Sequence, residues 1–347
     1  MVVGVADTVR LGFVGTGDRA FEEMRDLVGM PDVVLAGFCD VAADRCAAAL
    51  ARVNAVLAES GRPPIDVPFF ADVREMCEAV PLDGVYVSVP PFAHGPVEHA
   101  ILDGGRALFV EKPVALDPGM AREIAAHARQ AGVVTAVGYQ LRYFPGILRA
   151  RELLQGRTVG LCIANRFGGV PGAPWWRVQS RSGGMLIEQH THGVDLLRFL
   201  AGEVETVYAQ ADTRLLADLP GLDIADVNAA TLRFASGAVG TIANSCALVD
   251  GLRLPGADGL YILAQGLALA LHGTGGTAHF DGGAREDLPG GGGGNAAMNA
   301  AFVHALRTGD RSRILSDYDD GLRTFEVTHA AHRSAVEGRV VRPGVAP

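Results

Sequence analysis

The chain has 347 residues, of which 49% are hydrophobic and 20% charged, and its net charge is −9 at pH 7. This length is sufficient for two domains, because a single hydrophobic core rarely grows so large. The acidic balance and the lack of a basic run argue against a nucleic-acid-binding protein. The composition is that of an ordinary globular protein.

The cysteines and the N-terminal segment bear on the cellular compartment. Five cysteines are scattered along the chain and none belongs to a C-x-x-C pair, which favours reduced thiols over a disulfide framework or a zinc site. Residues 1–7 lack a basic stretch followed by an apolar core. No apolar run reaches the length of a membrane-spanning helix. We therefore expect a cytoplasmic protein that binds neither membranes nor nucleic acids.

A glycine-rich turn follows the first predicted strand, residues 8–14. Residues 15–20 have the pattern G-x-G-x-x-A and precede a predicted helix. In this setting Gly15 permits the tight turn, Gly17 lets the backbone approach a pyrophosphate, and the helix N-terminus offers free N–H groups. The pattern predicts dinucleotide binding. Its candidate cofactor-binding residues are Gly15, Thr16, Gly17, Asp18 and Arg19.

An acidic residue follows the second predicted strand, residues 33–38. Asp40 lies 20 positions after Ala20, where a carboxylate holds the adenosine ribose hydroxyls in dinucleotide-binding folds. A carboxylate at this position repels the 2′-phosphate of NADP, so Asp40 favours NAD as the cofactor. Arg45 is a nearby cation that weakens this preference without reversing it.

Strands and helices continue to alternate up to residue 137. Helices are predicted near residues 20–28, 41–59, 71–79, 94–104 and 117–131, and strands near 67–70, 84–89, 107–110 and 133–137. This alternation predicts an α/β Rossmann domain with a doubly wound parallel sheet over residues 1–138. Ligands of such sheets bind beyond the carboxyl ends of the strands. The segments expected at that edge are residues 88–91, 111–113 and 138–142.

A row of polar side chains is predicted on a helix over residues 186–201. In a continuous helix, Glu188, His192 and Asp195 fall within an arc of roughly 60°, opposite an apolar face. The row fits either a solvated helix face or a proton-transfer site in which carboxylates orient His192. The H-E-x-x-H spacing of zinc sites is absent, and no metal is expected.

Residues 139–347 are predicted to form a second, α+β domain. A short helix is expected within residues 139–155. Strands are predicted near residues 157–168, 203–213, 224–234, 238–248 and 259–281, with helices near 295–308 and 319–337. Because few helices separate the strands, the sheet should be mainly antiparallel.

These motifs together resemble the Gfo/Idh/MocA family of NAD(P)-dependent oxidoreductases, named for glucose-fructose oxidoreductase, inositol 2-dehydrogenase and the rhizopine-catabolism protein MocA. The segments that carry the resemblance are residues 15–20, 90–94, 111–113, 138–145 and 183–195. The resemblance implies that Lys112 and His192 flank the nicotinamide and the reacting carbinol. It also implies a peptide bond before Pro113 that is often cis.

The residue chemistry described above and the resemblance together define the set of candidate site residues, with Trp176 and Arg177 chosen because an indole and a guanidinium suit a polyhydroxylated ligand. The catalytic candidates are Lys112, His192 and Glu188. The remaining cofactor-binding candidates are Asp40, Ser88, Pro90, His94, Glu111 and Lys112. The substrate-binding candidates are Lys112, Arg142, Trp176, Arg177, Glu188, His192 and Asp195. Two positions depart from the family pattern, because Glu188 stands where many members have Asp and His190 where a glycine is common. Both could reshape the substrate pocket, and His190 could add a contact or a second titrating group.

The expected function is NAD-dependent hydride transfer between nicotinamide and a hydroxyl or ketone of a sugar, cyclitol or similar polyol. Two alternatives remain open: glycoside cleavage through transient oxidation with retained NAD, and a non-catalytic dinucleotide-binding sensor. The presence of both Lys112 and His192 argues against the sensor. The resemblance further implies a large open sheet in the second domain, through which the chain would form a homodimer or homotetramer.

Overall fold

The computed structural model describes residues 8–249 and 257–345, so the segment 1–7 considered above lies outside it. The chain divides into two compact units. The first contains residues 8–138 and 295–320, and the second contains residues 139–249, 257–294 and 321–345. The division after Gly138 coincides with the expected domain boundary. Residues 295–320, which the sequence assigned to the second domain, belong to the first compact unit.

Six parallel strands form the sheet of the first unit. They are β1 (Val9–Val14), β2 (Val33–Cys39), β3 (Phe69–Phe70), β4 (Gly84–Val87), β5 (Ala107–Val110) and β6 (Thr135–Val137), in the spatial order β3-β2-β1-β4-β5-β6. The connecting helices are α1 (Asp18–Val28), α2 (Ala43–Glu59), α3 (Val73–Ala79), α4 (Pro96–Asp103) and α5 (Pro118–Ala131). The parallel pairing confirms the predicted doubly wound α/β domain.

Buried aromatic rings occupy the centre of this sheet. Phe13, Tyr86 and Phe109 lie at matching positions on β1, β4 and β5, and successive ring centroids are 4.9 and 4.3 Å apart. Phe302, on the helix Gly294–Thr308 (α10), meets Tyr86 and Phe109 edge-on at 5.5 and 5.6 Å. Such aromatic pairs stabilise beyond simple burial. This packing explains why a late segment of the chain belongs to the first unit.

The second unit contains an eight-stranded sheet. Its strands are β7 (Val159–Phe167), β8 (Val204–Asp212), β9 (Val227–Phe234), β10 (Val239–Ser245), β11 (Asp258–Ala264), β12 (Leu267–His272), β13 (Gly275–Phe280) and β14 (Arg285–Leu288), in the order β14-β13-β12-β11-β7-β10-β9-β8. β7 and β10 pair in parallel, and the other neighbouring pairs are antiparallel. The expectation of a mainly antiparallel sheet is confirmed.

The single strand predicted near residues 259–281 is wrong. The segment folds into β11, β12 and β13, with turns that contain Gly266 and Gly273. Both glycines have positive φ, 68° and 60°, which side-chain-bearing residues rarely adopt. Apolar residues continue to alternate through both turns, so the sequence pattern did not indicate where the chain reverses direction.

The continuous helix predicted over residues 186–201 is also wrong. The helices of the second unit are α6 (Pro145–Leu154), α7 (Gln179–Ser182), α8 (Gly184–Glu188), α9 (Thr191–Ala201) and most of α11 (Tyr318–Glu337). Between α8 and α9, the His190 N–H donates to the Met185 carbonyl, five residues back, at 2.9 Å. This π-type turn interrupts the regular i to i−4 ladder. Glu188 and His192 therefore lie on different helices, and the 60° arc does not describe them.

The apolar face predicted for this segment is nevertheless buried. Leu186, Val194, Leu197 and Leu200 all belong to the hydrophobic core of the second unit, and α9 packs against β7. Core burial of large aliphatic side chains is the main stabilising contribution to such a unit. The helices that carry Glu188 and His192 thus pack against the sheet of the second unit through apolar side chains.

Two further observations concern the cysteines and the hydrophobicity of the helices. All five cysteines are free and buried. Among the helices of the described residues, none has both the length and the apolar run that crossing a membrane requires.

Candidate active site

The glycine-rich turn has the geometry that a dinucleotide requires. Gly15 has φ +80°, and a Cβ there would lie 2.4 Å from the Ser88 carbonyl oxygen, so only glycine fits between β1 and the end of β4. At Gly17 a Cβ would meet nothing within 4 Å. Gly17 caps α1 without a side-chain hydrogen bond, and the first N–H groups of a helix favour anions. The residues present therefore fit an NAD diphosphate.

The Asp40 carboxylate accepts hydrogen bonds from this turn. Its Oδ2 accepts hydrogen bonds from the Thr16 N–H at 3.0 Å and the Thr16 hydroxyl at 3.2 Å, and its Oδ1 accepts from the Ala42 N–H at 3.1 Å. A carboxylate offers about four acceptor positions, so these three bonds leave room for a ribose hydroxyl. The preference for NAD that Asp40 suggests remains a prediction.

Arg19, Glu23 and Glu111 form a buried charge cluster beside the turn. Arg19 Nε lies 2.9 Å from Glu111 Oε1, and its guanidinium also pairs with Glu23. The Glu23 Oε2 accepts from the Asn299 amide of α10 at 2.5 Å. Burial raises the pKa of Glu23 to about 8, although Arg19 opposes this shift. The guanidinium of Arg19, a predicted cofactor contact, is thus directed at Glu23 and Glu111 in this structure.

Glu111 and Lys112 follow β5 directly at the carboxyl edge of the sheet. The Glu111 carboxylate lies against Gly138, where a Cβ would come within 2.5 Å of Glu111 Oε1. Its Oε2 accepts from the Lys112 N–H at 3.3 Å. The Lys112–Pro113 peptide is cis, as the family resemblance implies. Lys112 itself is half-buried.

His94 is held by a buried carboxylate at the end of β4. Its Nδ1 lies 2.6 Å from Glu98 Oε1, and Glu98 Oε2 accepts from the Gly95 N–H at 2.6 Å. The opposite ring nitrogen, Nε2, is buried and has no hydrogen-bond partner among the described residues. Ser88 and Pro90 lie half-buried on the same segment. The structure thus collects these cofactor candidates at the predicted edge.

In the second unit, hydrogen bonds from neighbouring side chains hold the Glu188 carboxylate. It is 7% exposed, and its Oε2 accepts a hydrogen bond from the Trp176 indole N–H at 2.7 Å. The neighbouring Gln189 amide also donates to this oxygen. Trp176, a predicted substrate contact, is 1% exposed and directs its polar atom at Glu188. No sequence pattern indicates this bond, because the partners lie twelve positions apart with the helix α7 between them.

His192 lies half-buried on the first turn of α9. Its ring meets the Tyr139 ring edge-on, with centroids 6.0 Å apart. The Tyr139 hydroxyl and the Thr191 hydroxyl are 2.9 Å apart. Burial, with Asp195 nearby, raises the pKa of Tyr139, so its hydroxyl stays protonated at neutral pH. Tyr139 and Thr191 were not among the sequence candidates, although both lie within the quoted motifs.

Arg142 and Asp195 form a buried ion pair. Arg142 Nε and NH2 donate to the two Asp195 oxygens at 2.8 and 2.5 Å. The Thr324 hydroxyl of α11 donates to Asp195 Oδ1 at 2.9 Å. The sequence nominated both residues for substrate contact and Asp195 for orienting His192. In the structure these contacts join the short 3-10 helix Gln140–Tyr143 to α9 and α11.

His190 is a buried neutral imidazole. Burial, with the Arg166 charge nearby, lowers its pKa to about 3, so it is not a second titrating group near neutral pH. A Cβ at Gly193 would lie 2.4 Å from His190 Cδ2 and Nε2. The histidine at position 190, where the family commonly has glycine, therefore fits only because residue 193 has no side chain.

The last substrate candidate, Arg177, lies half-buried at the end of the short 3-10 helix Pro174–Arg177 in the second unit. Its guanidinium donates to the Pro220 carbonyl at 3.4 Å, and its own carbonyl accepts from the Asp223 N–H at 3.0 Å. Across the described part of the chain, no group of three or more His, Cys, Asp or Glu side chains is arranged to hold a metal ion.

Comparison with known protein families gives two matches. Residues 9–139 match an oxidoreductase family described by its NAD-binding Rossmann fold. Residues 147–279 match the C-terminal domain of the Gfo/Idh/MocA family. The first match contains the glycine-rich turn and Lys112, and the second contains Glu188 and His192.

Characterised relatives include two inositol dehydrogenases. Myo-inositol 2-dehydrogenase of Thermotoga maritima is 25% identical over 248 residues, which cover 70% of this chain and 70% of that protein. Scyllo-inositol 2-dehydrogenase (NAD(+)) of Bacillus subtilis is 28% identical over 174 residues, which cover 49% of this chain and 51% of that protein. The chain thus matches only about half the length of the latter.

Solved structures extend the likeness to almost the whole chain. A levoglucosan dehydrogenase in complex with NADH and levoglucosan superimposes with a TM-score of 0.82, covering 97% of this chain and 100% of that one at 17% identity. A putative myo-inositol dehydrogenase from Sinorhizobium meliloti 1021 gives a TM-score of 0.76 at 21% identity, with 97% and 100% coverage. At these identities the likeness shows a shared fold. With both family matches in sequence order, the chain belongs to the Gfo/Idh/MocA family of NAD-binding oxidoreductases.

Proposed function

We propose that the chain catalyses NAD-dependent hydride transfer between nicotinamide and a hydroxyl-bearing carbon of a sugar, cyclitol or related polyol. The observation that carries the proposal is the position of Lys112. It follows β5 at the carboxyl edge of the same sheet in which β1 leads into the Gly15–Gly17 turn. Ligands of doubly wound sheets bind beyond this edge. A cation placed there suits an oxyanion that develops next to a bound dinucleotide.

Polar groups of the second unit supply the proton chemistry in this proposal. His192 accepts the hydroxyl proton at an imidazole nitrogen and returns it in the reverse direction. Lys112 Nζ stabilises negative charge on the same oxygen. The Gly15–Gly17 turn and Asp40 would hold NAD, which would supply the hydride acceptor for the carbinol carbon. Glu188, which accepts a hydrogen bond from the Trp176 indole, is the third catalytic group of the proposal.

Of the other candidates, two are assigned supporting roles. Arg142 and Asp195 form the buried ion pair described above, and we propose that this pair holds α9, and thereby His192, in place. The relatives named for inositol and levoglucosan support a polyol as the substrate.

The proposal is tested by incubating the protein with NAD and a panel of polyols that includes myo-inositol, scyllo-inositol, D-glucose and levoglucosan. We expect NADH to accumulate with at least one of them, and Lys112→Ala and His192→Ala to lose this activity while still binding NAD. NADH formation that is unaffected by both substitutions contradicts the assignment of these residues. Release of a sugar from an aryl glycoside without net NADH would instead support the glycoside-cleaving alternative.

A further inference from the structure

The Glu188 carboxylate is the end point of a chain of hydrogen bonds that begins in the sheet. On β7, Arg166 pairs with Asp258, which lies opposite it on β11, at 2.8 Å. Arg166 NH2 donates to Gln189 Oε1 at 2.9 Å. The Gln189 Nε2 then donates to Glu188 Oε2.

The orientation of the Gln189 amide follows from its two neighbours. Its oxygen faces a guanidinium, which only donates, and its nitrogen faces a carboxylate, which only accepts when ionised. Rotating the amide by 180° would oppose like groups at both ends. Arg166 therefore fixes Gln189, and Gln189 directs a donor at Glu188.

A second donor reaches the same carboxylate oxygen from a different element. Trp176 packs in a small apolar cluster with Met185, Ile224 and Cys246, so its indole has a fixed position. Its N–H reaches Glu188 Oε2 at 2.7 Å. Trp176 thus acts on the carboxylate through a rigid, buried ring.

We propose that Trp176 and Gln189 are positioning residues, which hold the Glu188 carboxylate in one hydrogen-bonded conformation for the reaction. This inference rests on the proposed function. Glutamate has three side-chain torsions, and restricting them has an entropic cost. Two donors that are already in place meet this cost before substrate binds, and hydrogen bonds to an ionised acceptor are the stronger kind. Loss of either donor should lower kcat and leave NAD binding unchanged.

A spectroscopic test reads the Trp176 bond without any substrate. The chain has two tryptophans, so ¹⁵N-tryptophan labelling gives two indole N–H resonances, which Trp175→Phe assigns. Glu188→Ala should move the Trp176 resonance upfield and leave the Trp175 resonance as an internal reference. A Trp176 resonance that is unchanged by Glu188→Ala would show that the bond is absent and would overturn the proposal.

A kinetic cycle tests whether the two donors act through Glu188. Trp176→Phe keeps a ring and Gln189→Met keeps the side-chain length, and each should lower kcat by about tenfold or more, the usual size for a hydrogen bond to a charged group. In a Glu188→Ala background neither should lower kcat further, because the group they position is gone. Gln210→Met, at an exposed glutamine of the same unit, is the matched control and should leave kcat unchanged.

The outcomes separate this inference from the proposed function. Losses in kcat that persist undiminished in the Glu188→Ala background show a merely structural role and overturn the inference. Normal kcat in both single variants does the same. If no polyol is oxidised, or if Lys112→Ala and His192→Ala are fully active, the proposed function fails. The indole resonances still decide whether Trp176 holds Glu188 in that case.

Discussion

The buried pair of Arg142 and Asp195 makes a quantitative prediction about stability. Asp195 is fully buried and Arg142 is 3% exposed, and the carboxylate accepts two hydrogen bonds from Arg142 and one from Thr324. Asp195→Ala removes the carboxylate and leaves the guanidinium charge in a site built around it. Removing one partner of a buried ion pair costs about 3–5 kcal/mol.

Thermal unfolding followed by circular dichroism measures this cost. For a unit of about 200 residues, 1 kcal/mol corresponds to a Tm shift of about 2–4 °C, so Asp195→Ala should lower the Tm of the second unit by about 6–20 °C. The matched control is Glu205→Ala. It removes the carboxylate of a pair with Arg342 whose side chains are 43% and 61% exposed, and such pairs contribute at most about 1 kcal/mol. A loss for Asp195→Ala no larger than the control's would refute the reasoning.

Three further predictions concern the cofactor turn, the packing of α9 and the pH dependence of stability. Asp40→Ser should narrow the preference for NAD over NADP, and titration of both cofactors checks it; tighter binding of NADP by the unmutated protein contradicts it. Gly193→Ala should lower the Tm, because its Cβ would lie 2.4 Å from the His190 ring, and His190→Ala in the same chain should restore it; no loss, or no rescue, refutes the packing. Because burial raises the pKa of Glu23 from 4.5 to about 8, the folded state favours protonated Glu23, so this contribution to stability is present below pH 4.5 and is lost as the pH rises to 8. The urea concentration at the unfolding midpoint should fall less steeply between pH 4.5 and 8 in Glu23→Gln than in the unmutated protein. The same fall in both proteins would contradict the raised pKa of Glu23.

The nucleotide-binding half of the fold could be predicted from local sequence. The Gly15–Gly17 turn, the alternation of β1 to β6 with their helices, and the position of Lys112 after β5 depend on short-range patterns. The structure reproduces each of them. A turn between a strand and a helix constrains the identity of its residues directly, and this is why such motifs are readable.

The second half was less predictable, because its decisive features depend on contacts between distant residues. The break between α8 and α9 replaces one regular hydrogen bond by a His190 to Met185 bond, and hydrophobic periodicity does not register such a change. Likewise, the hydrogen bond from the Trp176 indole to Glu188 joins two segments that come together only through tertiary packing. Sequence patterns thus predicted one continuous helix where the structure has two, and they did not indicate the bond between Trp176 and Glu188.

The placement of residues 295–320 shows the same limit. The helix α10 has an apolar pattern that predicts burial but not the surface that receives it. Its Phe302 and Asn299 meet Tyr86 and Glu23 of the first unit. Those partners lie more than two hundred residues earlier, beyond the reach of any local pattern.

The central claim is that His192 exchanges the proton during hydride transfer, and single-turnover kinetics test it most directly. Enzyme saturated with NAD is mixed with the polyol that gives the fastest NAD reduction, and NADH formation is followed for the unmutated protein and for His192→Ala. General acid–base catalysis contributes about 10²–10⁴-fold, so the rate constant should fall by a factor in that range, with an unchanged dissociation constant for NAD. A folded His192→Ala protein that reduces NAD at a near-normal rate would contradict the account.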